Sequence, residues 1–340
     1  MKGRIGHFLR AYGRDLAIAG VGAALGIALV IVQIVNEPDP APVAGKAETP
    51  PERQPSRPAK PDPPSVAGLP ARERPPAPRR ESARPEAGQQ KPAAPPEAKT
   101  AWQRHAAAYP PPGNRPMIAL IIDDMGVDRK HSAEAIALQG PLTLSFLSYA
   151  EHLPEQTAAA RKAGHELMVH IPMQPEGNAA DPGPNAITVD GAADEVKRRL
   201  DWALGRFDGY VGINNHMGSR YTADEGGMTV VLGEIRRRGL LFVDSRTTPH
   251  SVARRLSRKL SVPFAERDVF IDDDPRPQAI QKRLDEVVRR ARDRKYAVAI
   301  GHPREGTLAA LRKWLPTLRL RGIELVPVSA IVRYRMDEAG

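Results

Sequence analysis

Beyond residue 116 the chain alternates short apolar runs with longer segments of helical spacing. Runs at 117–122, 142–147, 166–171, 209–213, 240–244, 296–300 and 323–328 are five or six residues long, the length of buried strands. Between them, Val196, Leu200, Ala203, Leu204 and Phe207 share one helical face, and Ile280, Leu284, Val287, Val288 and Ala291 share another. A third segment carries its own punctuation. Thr222 and Glu225 have capping-box spacing, Met228, Val231, Leu232 and Ile235 form the apolar stripe, and Arg236 to Arg238 lead into Gly239. Seven strand-like runs alternating with helices predict a parallel α/β sheet, open or closed into a barrel.

The first 115 residues follow a different pattern. Residues 16–35, LAIAGVGAALGIALVIVQIV, carry no charge over 20 positions, long enough to cross a bilayer as a helix. Lys2, Arg4, Arg10 and Arg14 precede the segment, and Glu37 and Asp39 follow it. The positive-inside rule then predicts a cytoplasmic tail over 1–15, a transmembrane helix over 16–35, and the remainder outside, facing the periplasm. A cleaved signal peptide is the alternative, but its apolar core is usually shorter, and no A-x-A site follows Val35. From 36 to 115 the chain holds 21 of its 35 prolines, with Trp102 and Tyr109 as the only aromatics. That is too little apolar surface to offset the entropy of ordering, so the expectation is a disordered Pro-rich linker ahead of a domain over 116–336.

Charge narrows the function less than its total suggests. The net +10 divides into +7 over residues 1–115 and +3 beyond, so the folded part is nearly balanced and no basic stripe with interleaved aromatics marks a nucleic-acid site. The absence of cysteine excludes disulfides, thiolate metal ligands and a cysteine nucleophile.

The candidate chemistry lies where the apolar runs stop. Asp123 and Asp124 end the first, His170 ends ELMVHIPM, Asn214, Asn215 and His216 end GYVGINNHMGS, Asp244 ends LLFVDSR and His302 ends YAVAIGHP. In a parallel α/β fold these strand ends share one face, where active sites gather. Singly, each has an ordinary reading: an Asp as a helix cap, a His in a strand as a satisfied core residue. Together, two imidazoles and a carboxylate make a three-ligand site for hydrolytic zinc or for non-haem iron. A second carboxylate beside it is placed to act as general base, and a further His as proton donor.

At these residues the chain resembles the polysaccharide deacetylase superfamily, most closely its divergent branch. IIDDMG is similar to the first motif of that superfamily, GHELMVHIPMQP to the second, LFVDSR and AIGHP to the fourth and fifth, and GINNHMGSR occupies the place of the third. The resemblance implies a distorted (β/α)7 barrel and a divalent metal, zinc, held by Asp124, His170 and His216. It makes Asp123 the base and His302 the proton donor, with Asp244 the acid that orients it. The second motif's second histidine is replaced by Gln174, and His216 supplies the missing imidazole. Asn215, Ser219 and Arg246 are candidates for the sugar pocket. The expected activity is removal of N- or O-acetyl groups from a cell-envelope polysaccharide by a single-pass inner-membrane protein. The alternative is a non-catalytic envelope protein of the same fold that binds glycan or a membrane partner.

Overall fold

The computed structural model describes residues 99–177 and 179–338. The expected cytoplasmic tail, the transmembrane segment and most of the linker lie outside these residues. Among the described residues no helix is long and apolar enough to cross a membrane.

The elements are α1 (Ala101–His105), β1 (Met117–Met125), α2 (Arg129–Ile136), β2 (Thr143–Leu147), α3 (Leu153–Lys162), β3 (Glu166–Met173), α4 (Ala193–Leu204), β4 (Gly212–Met217), α5 (Glu225–Arg237) and β5 (Leu241–Asp244). They continue with α6 (Ala253–Lys259), β6 (Phe264–Glu266), β7 (Val269–Phe270), α7 (Pro277–Arg294), β8 (Tyr296–Gly301), α8 (Glu305–Trp314), β9 (Glu324–Leu325) and α9 (Val328–Asp337). Every strand pairing is parallel. The sheet runs β6-β5-β4-β3-β2-β1-β8-β7, with β9 on β1. Its two edge strands are only two residues apart in sequence. There, the Arg267 amide donates to Asp244 O (2.9 Å) and the Asp268 amide to Val298 O (2.8 Å). The sheet therefore curls until one short stretch of chain pairs with β5 and then with β8.

Alternation along the strands divides the apolar residues between two cores. Ile118, Leu120 and Ile122 of β1 join the larger cluster, with the stripes of α4, α5 and α7. Met117, Ala119 and Ile121 join a smaller cluster with Met168, Val243, Val298 and Ile300. The helical stripes pack with the larger cluster, which leaves the smaller one on the inner side of the curled sheet. Its N-terminal end is closed by α9, whose Val328, Ile331 and Val332 belong to the smaller cluster. Buried Glu166, at the start of β3, accepts from the Ser329 amide (3.1 Å), the Ser329 hydroxyl and Thr143 Oγ1 (3.2 Å). Polar groups at the opposite, C-terminal strand ends are left for chemistry.

Several expectations are corrected. The run at 323–328 is no barrel stave: β9 pairs for two residues with the part of β1 that precedes Ile121, where β2 pairing begins. The seam comes instead from β6 and β7, where brevity and the charged run Glu266, Arg267 and Asp268 hide a strand pattern. Asp224, not Thr222, caps α5, accepting from the Gly227 amide at 2.6 Å, while the Thr222 hydroxyl donates to Gly218 O. Residues 99–115, assigned to the linker by composition, pack on the domain: Trp102 is buried in the smaller core and the Ala107 amide donates to Glu166 Oε2. Arg115 adds an ion pair to Glu324 at 3.1 Å, so a few specific contacts hold a segment that composition alone marks as disordered.

The β4–β5 contact fixes the strand that carries Asn214, Asn215 and His216. A Cβ added at Gly212 would sit 2.1 Å from Leu241 O, a clash with backbone that no rotamer relieves. Gly212→Ala is expected to cost about 3 kcal/mol, measured by urea unfolding; a loss under about 0.5 kcal/mol would show that the strands separate freely.

Candidate metal centre and cavity

The adjacent acids owe their placement to an irregularity. The β1–β2 register shifts between Ile122 and Met125, and Asp124 takes a left-handed backbone, φ 55°. Bulges re-aim side chains at strand ends, and Asp is among the few residues other than Gly that adopt this conformation readily. Met217 (φ 51°) and Arg246 (φ 50°) have the same backbone at the ends of β4 and β5. Such strain collects where neighbouring structure over-determines a site.

Around this point the acid and imidazole groups converge. Asp124 Oδ1 lies 2.8 Å from His216 Nδ1 and 3.3 Å from His170 Nε2; the three ligating atoms fall within 4.8 Å of one another. Despite these short approaches, Asp124 Oδ1 is buried without a hydrogen-bond partner. An oxygen and two ring nitrogens that approach closely without hydrogen-bond alignment are arranged to share a third body. Donors about 2.0–2.2 Å from one tetrahedral ion stand roughly 3.4 Å apart, so the residues present fit a divalent cation. The field agrees. Against burial, His170 and His216 hold the Asp124 carboxyl far below the usual carboxylate range. Against burial again, Asp123 and Asp124 push His170 up to about 9, so positive charge is favoured at the centre.

Asn214 sets the chemistry of its neighbours. Its Nδ2 donates to Asp123 Oδ1 (2.8 Å) and to Ser245 Oγ (3.1 Å); its Oδ1 faces His170 Nδ1 at 2.8 Å and accepts from Ser145 Oγ. An ionised carboxylate only accepts, so the amide nitrogen must face Asp123, and the amide oxygen then requires a proton on His170 Nδ1. Nε2 is thereby left as the nitrogen that faces Asp123, at 3.6 Å, and Asp124. Asp123 is itself buried, which raises its pKa against the charges of His170 and His302.

His302, at the end of β8, places Nε2 3.7 Å from Asp124 Oδ2. Its other nitrogen meets Asp272 Oδ1 at 2.9 Å, and its backbone amide donates to Asp272 Oδ2 at 2.8 Å, an oxygen that also accepts from Thr307 Oγ1. Burial would lower the His302 pKa, yet Asp272 raises it. The orienting acid is therefore Asp272, which follows β7, and not Asp244. The Asp244 carboxylate instead accepts from the Arg246 amide (2.7 Å) and from Ser251 Oγ (2.7 Å), pinning the turn after β5.

The remaining candidates divide. Asn215 and Arg246 line a cavity of about 360 Å³ together with Asp123, His170, His216 and His302. Asn215 also holds the turn, accepting from the Ser245 amide and donating to Met217 O. Ser219 lies outside the cavity wall, its hydroxyl accepting from the Glu176 amide at 2.8 Å. Gln174 is structural: its Oε1 accepts from the Val189 amide, and its carbonyl from Arg220 and Tyr221. Sequence names Asn214 among the polar residues that end the apolar runs but gives it no role, and it passes over Asp272, Arg267 and Phe270; Asp272 follows a strand too short to recognise.

Comparison with known proteins identifies the family. Residues 120–332 match the model of the divergent polysaccharide deacetylase family. The chain is 31% identical over 201 residues to an uncharacterized Haemophilus influenzae protein, covering 59% of this chain and 71% of that one. It is 30% identical over 215 residues to the uncharacterized protein YibQ of Escherichia coli (strain K12), covering 63% and 67%. Its fold is similar to the crystal structure of an uncharacterized Agrobacterium tumefaciens C58 protein, ATU2773, with a TM-score of 0.67 and 27% identity over 71% of this chain and 99% of that one. With the matched region running from β1 into α9 and enclosing the whole acid–imidazole cluster, the chain belongs to the divergent polysaccharide deacetylase family.

Proposed function

We propose that the protein is a zinc-dependent deacetylase that removes acetyl groups from a cell-envelope polysaccharide. The observation that carries this reading is the unpartnered Asp124 Oδ1 facing His170 Nε2 and His216 Nδ1, with Asp123 and His302 on the same cluster. The uncharged segment at 16–35 with its basic flank supports a site held outside the cytoplasmic membrane.

In this reading Asp124, His170 and His216 hold the cation, which supplies Lewis acidity toward the acetyl carbonyl. Asp123, fixed by Asn214, takes a proton from the attacking water as that water's oxygen joins the acetyl carbon. His302, held by Asp272, gives a proton to the sugar nitrogen or oxygen as its bond to the acetyl carbon breaks, and acetate leaves. Burial that raises the Asp123 pKa makes it a better base than an exposed carboxylate.

Three outcomes test the reading. The purified full chain is expected to carry one zinc per molecule by elemental analysis; Asp124→Ala and His216→Ala should lose it, and Asn214→Ala should weaken it about 10- to 100-fold. Full occupancy in Asp124→Ala would refute the ligand set. Asp123→Asn should keep zinc while acetate release from acetylated chito-oligosaccharide or peptidoglycan falls about 10²- to 10⁴-fold. Zinc without acetate release from any glycan tried would favour the glycan-binding alternative. By NMR titration the His302 imidazole should lose its proton above the ordinary histidine range and at lower pH in Asp272→Asn; an unchanged midpoint would remove Asp272 from its role.

A further inference from the structure

Arg267 stands apart from the other cavity cations. It comes from the two-residue link between β6 and β7, and its side chain lines the cavity with Arg246, Phe270 and His302. Its Nε donates to Ser245 O and its Nη2 to Arg246 O, both at 2.7 Å, and the guanidinium lies 4.9 Å from the centre of the Phe270 ring. A guanidinium has five N–H groups. Two are engaged here, and three have no protein acceptor among the described residues.

The charge is equally unmatched. Among the described residues no carboxylate lies within ion-pair distance of Arg267, whereas Arg246 faces Glu266 at 3.4 Å and His302 faces Asp272 at 2.9 Å. Burial and the neighbouring Arg246 both lower the Arg267 pKa, while Asp244, Asp123 and Asp273 act on it only through space. On the proposed function, two carboxylates, Asp123 and Asp124, balance a divalent cation, and each other charged group of the wall is paired except Arg267. A half-buried, unpaired guanidinium on an apolar ring beside the acid–imidazole cluster is an incomplete anion site.

We propose that Arg267 is a specificity-determining residue that receives a carboxylate of the substrate, so that the preferred glycan carries an acidic sugar next to the acetylated one. This inference rests on the deacetylase reading for the word substrate, but the anion site itself is testable without turnover. The two carbonyl bonds hold the fork by its Nε edge and leave Nη1 free for a carboxylate oxygen. Phe270 lies against the guanidinium, 4.9 Å from its carbon to the ring centre, and the cavity that both line leaves room for a sugar between Arg267 and the acid–imidazole cluster.

The test uses the zinc-loaded full chain and four small probes, D-glucuronate, D-glucuronamide, D-glucose and acetate, with the Arg267 Nε–H and His302 ring signals followed by NMR. Glucuronate is expected to bind saturably and at least tenfold more tightly than glucuronamide or glucose. Arg267→Gln should reduce the glucuronate advantage to within about twofold, and Arg267→Lys, which keeps the charge, should retain part of it. Bound zinc and the far-ultraviolet spectrum are checked in each variant, which separates loss of the anion site from loss of the turn that Arg267 holds. Acetate binding that survives Arg267→Gln places its contact at the metal rather than at the guanidinium. Equal binding of charged and neutral probes, no binding of any, or a glucuronate preference that persists in Arg267→Gln would overturn the proposal. Failure of acetate release with the glucuronate preference intact would instead overturn the hydrolase reading and leave the anion site standing.

Discussion

The site depends on the orientation of a single primary amide. Asn214 cannot turn over without pointing its oxygen at the Asp123 carboxylate and its nitrogen at the ring nitrogen that it now faces. Because a carboxylate offers only lone pairs, that one choice fixes the tautomer of His170 and the position of Asp123 at once. The hydroxyls of Ser145 and Ser245 occupy the amide's remaining valences, so three strands and the turn after β5 lock one side chain. Buried polar networks that are fully satisfied rigidify a site in this way, and partly satisfied ones do not.

The curled sheet supplies these groups by register. His170 pairs with Asn214, and Pro172 with His216, along the β3–β4 ladder, so neighbouring strands bring ligands from distant sequence to one level. The end closed by α9 and Glu166 is built for stability, and the opposite end carries left-handed residues, a register shift and an orphaned oxygen. Division of labour between the two ends follows from strand direction alone.

Much of this was legible in the residues. The alternation of apolar runs and helical stripes predicts the parallel α/β sheet because six of the seven runs, all but 323–328, coincide with strands whose side chains are largely buried on both faces. Asp123, Asp124, His170, His216 and His302 were found because each stops an apolar run. Sequence failed where that contrast is weak. β6 and β7 are three and two residues long, so Asp272 had no recognisable strand to end, and Asp244 was assigned its place. Asn214 shares β4 with His216, but a neutral amide in a strand gives no sign that it sets a tautomer. Composition misses the order at 99–115 because it averages over a stretch in which a few contacts, Trp102 in the smaller core, Ala107 on Glu166 and Arg115 on Glu324, do the anchoring.

The left-handed backbone at Asp124 has a consequence for how members of such a family diverge. Of the substitutions that this φ accepts, asparagine is nearest in shape and costs the backbone almost nothing. It would exchange one anionic oxygen for a neutral amide group, and the bulge, the strands and both cores would not register the change. On the proposed function, a lineage can therefore cross from metalloenzyme to inert scaffold by one nucleotide, with no intermediate that misfolds and no remodelling to mark the event.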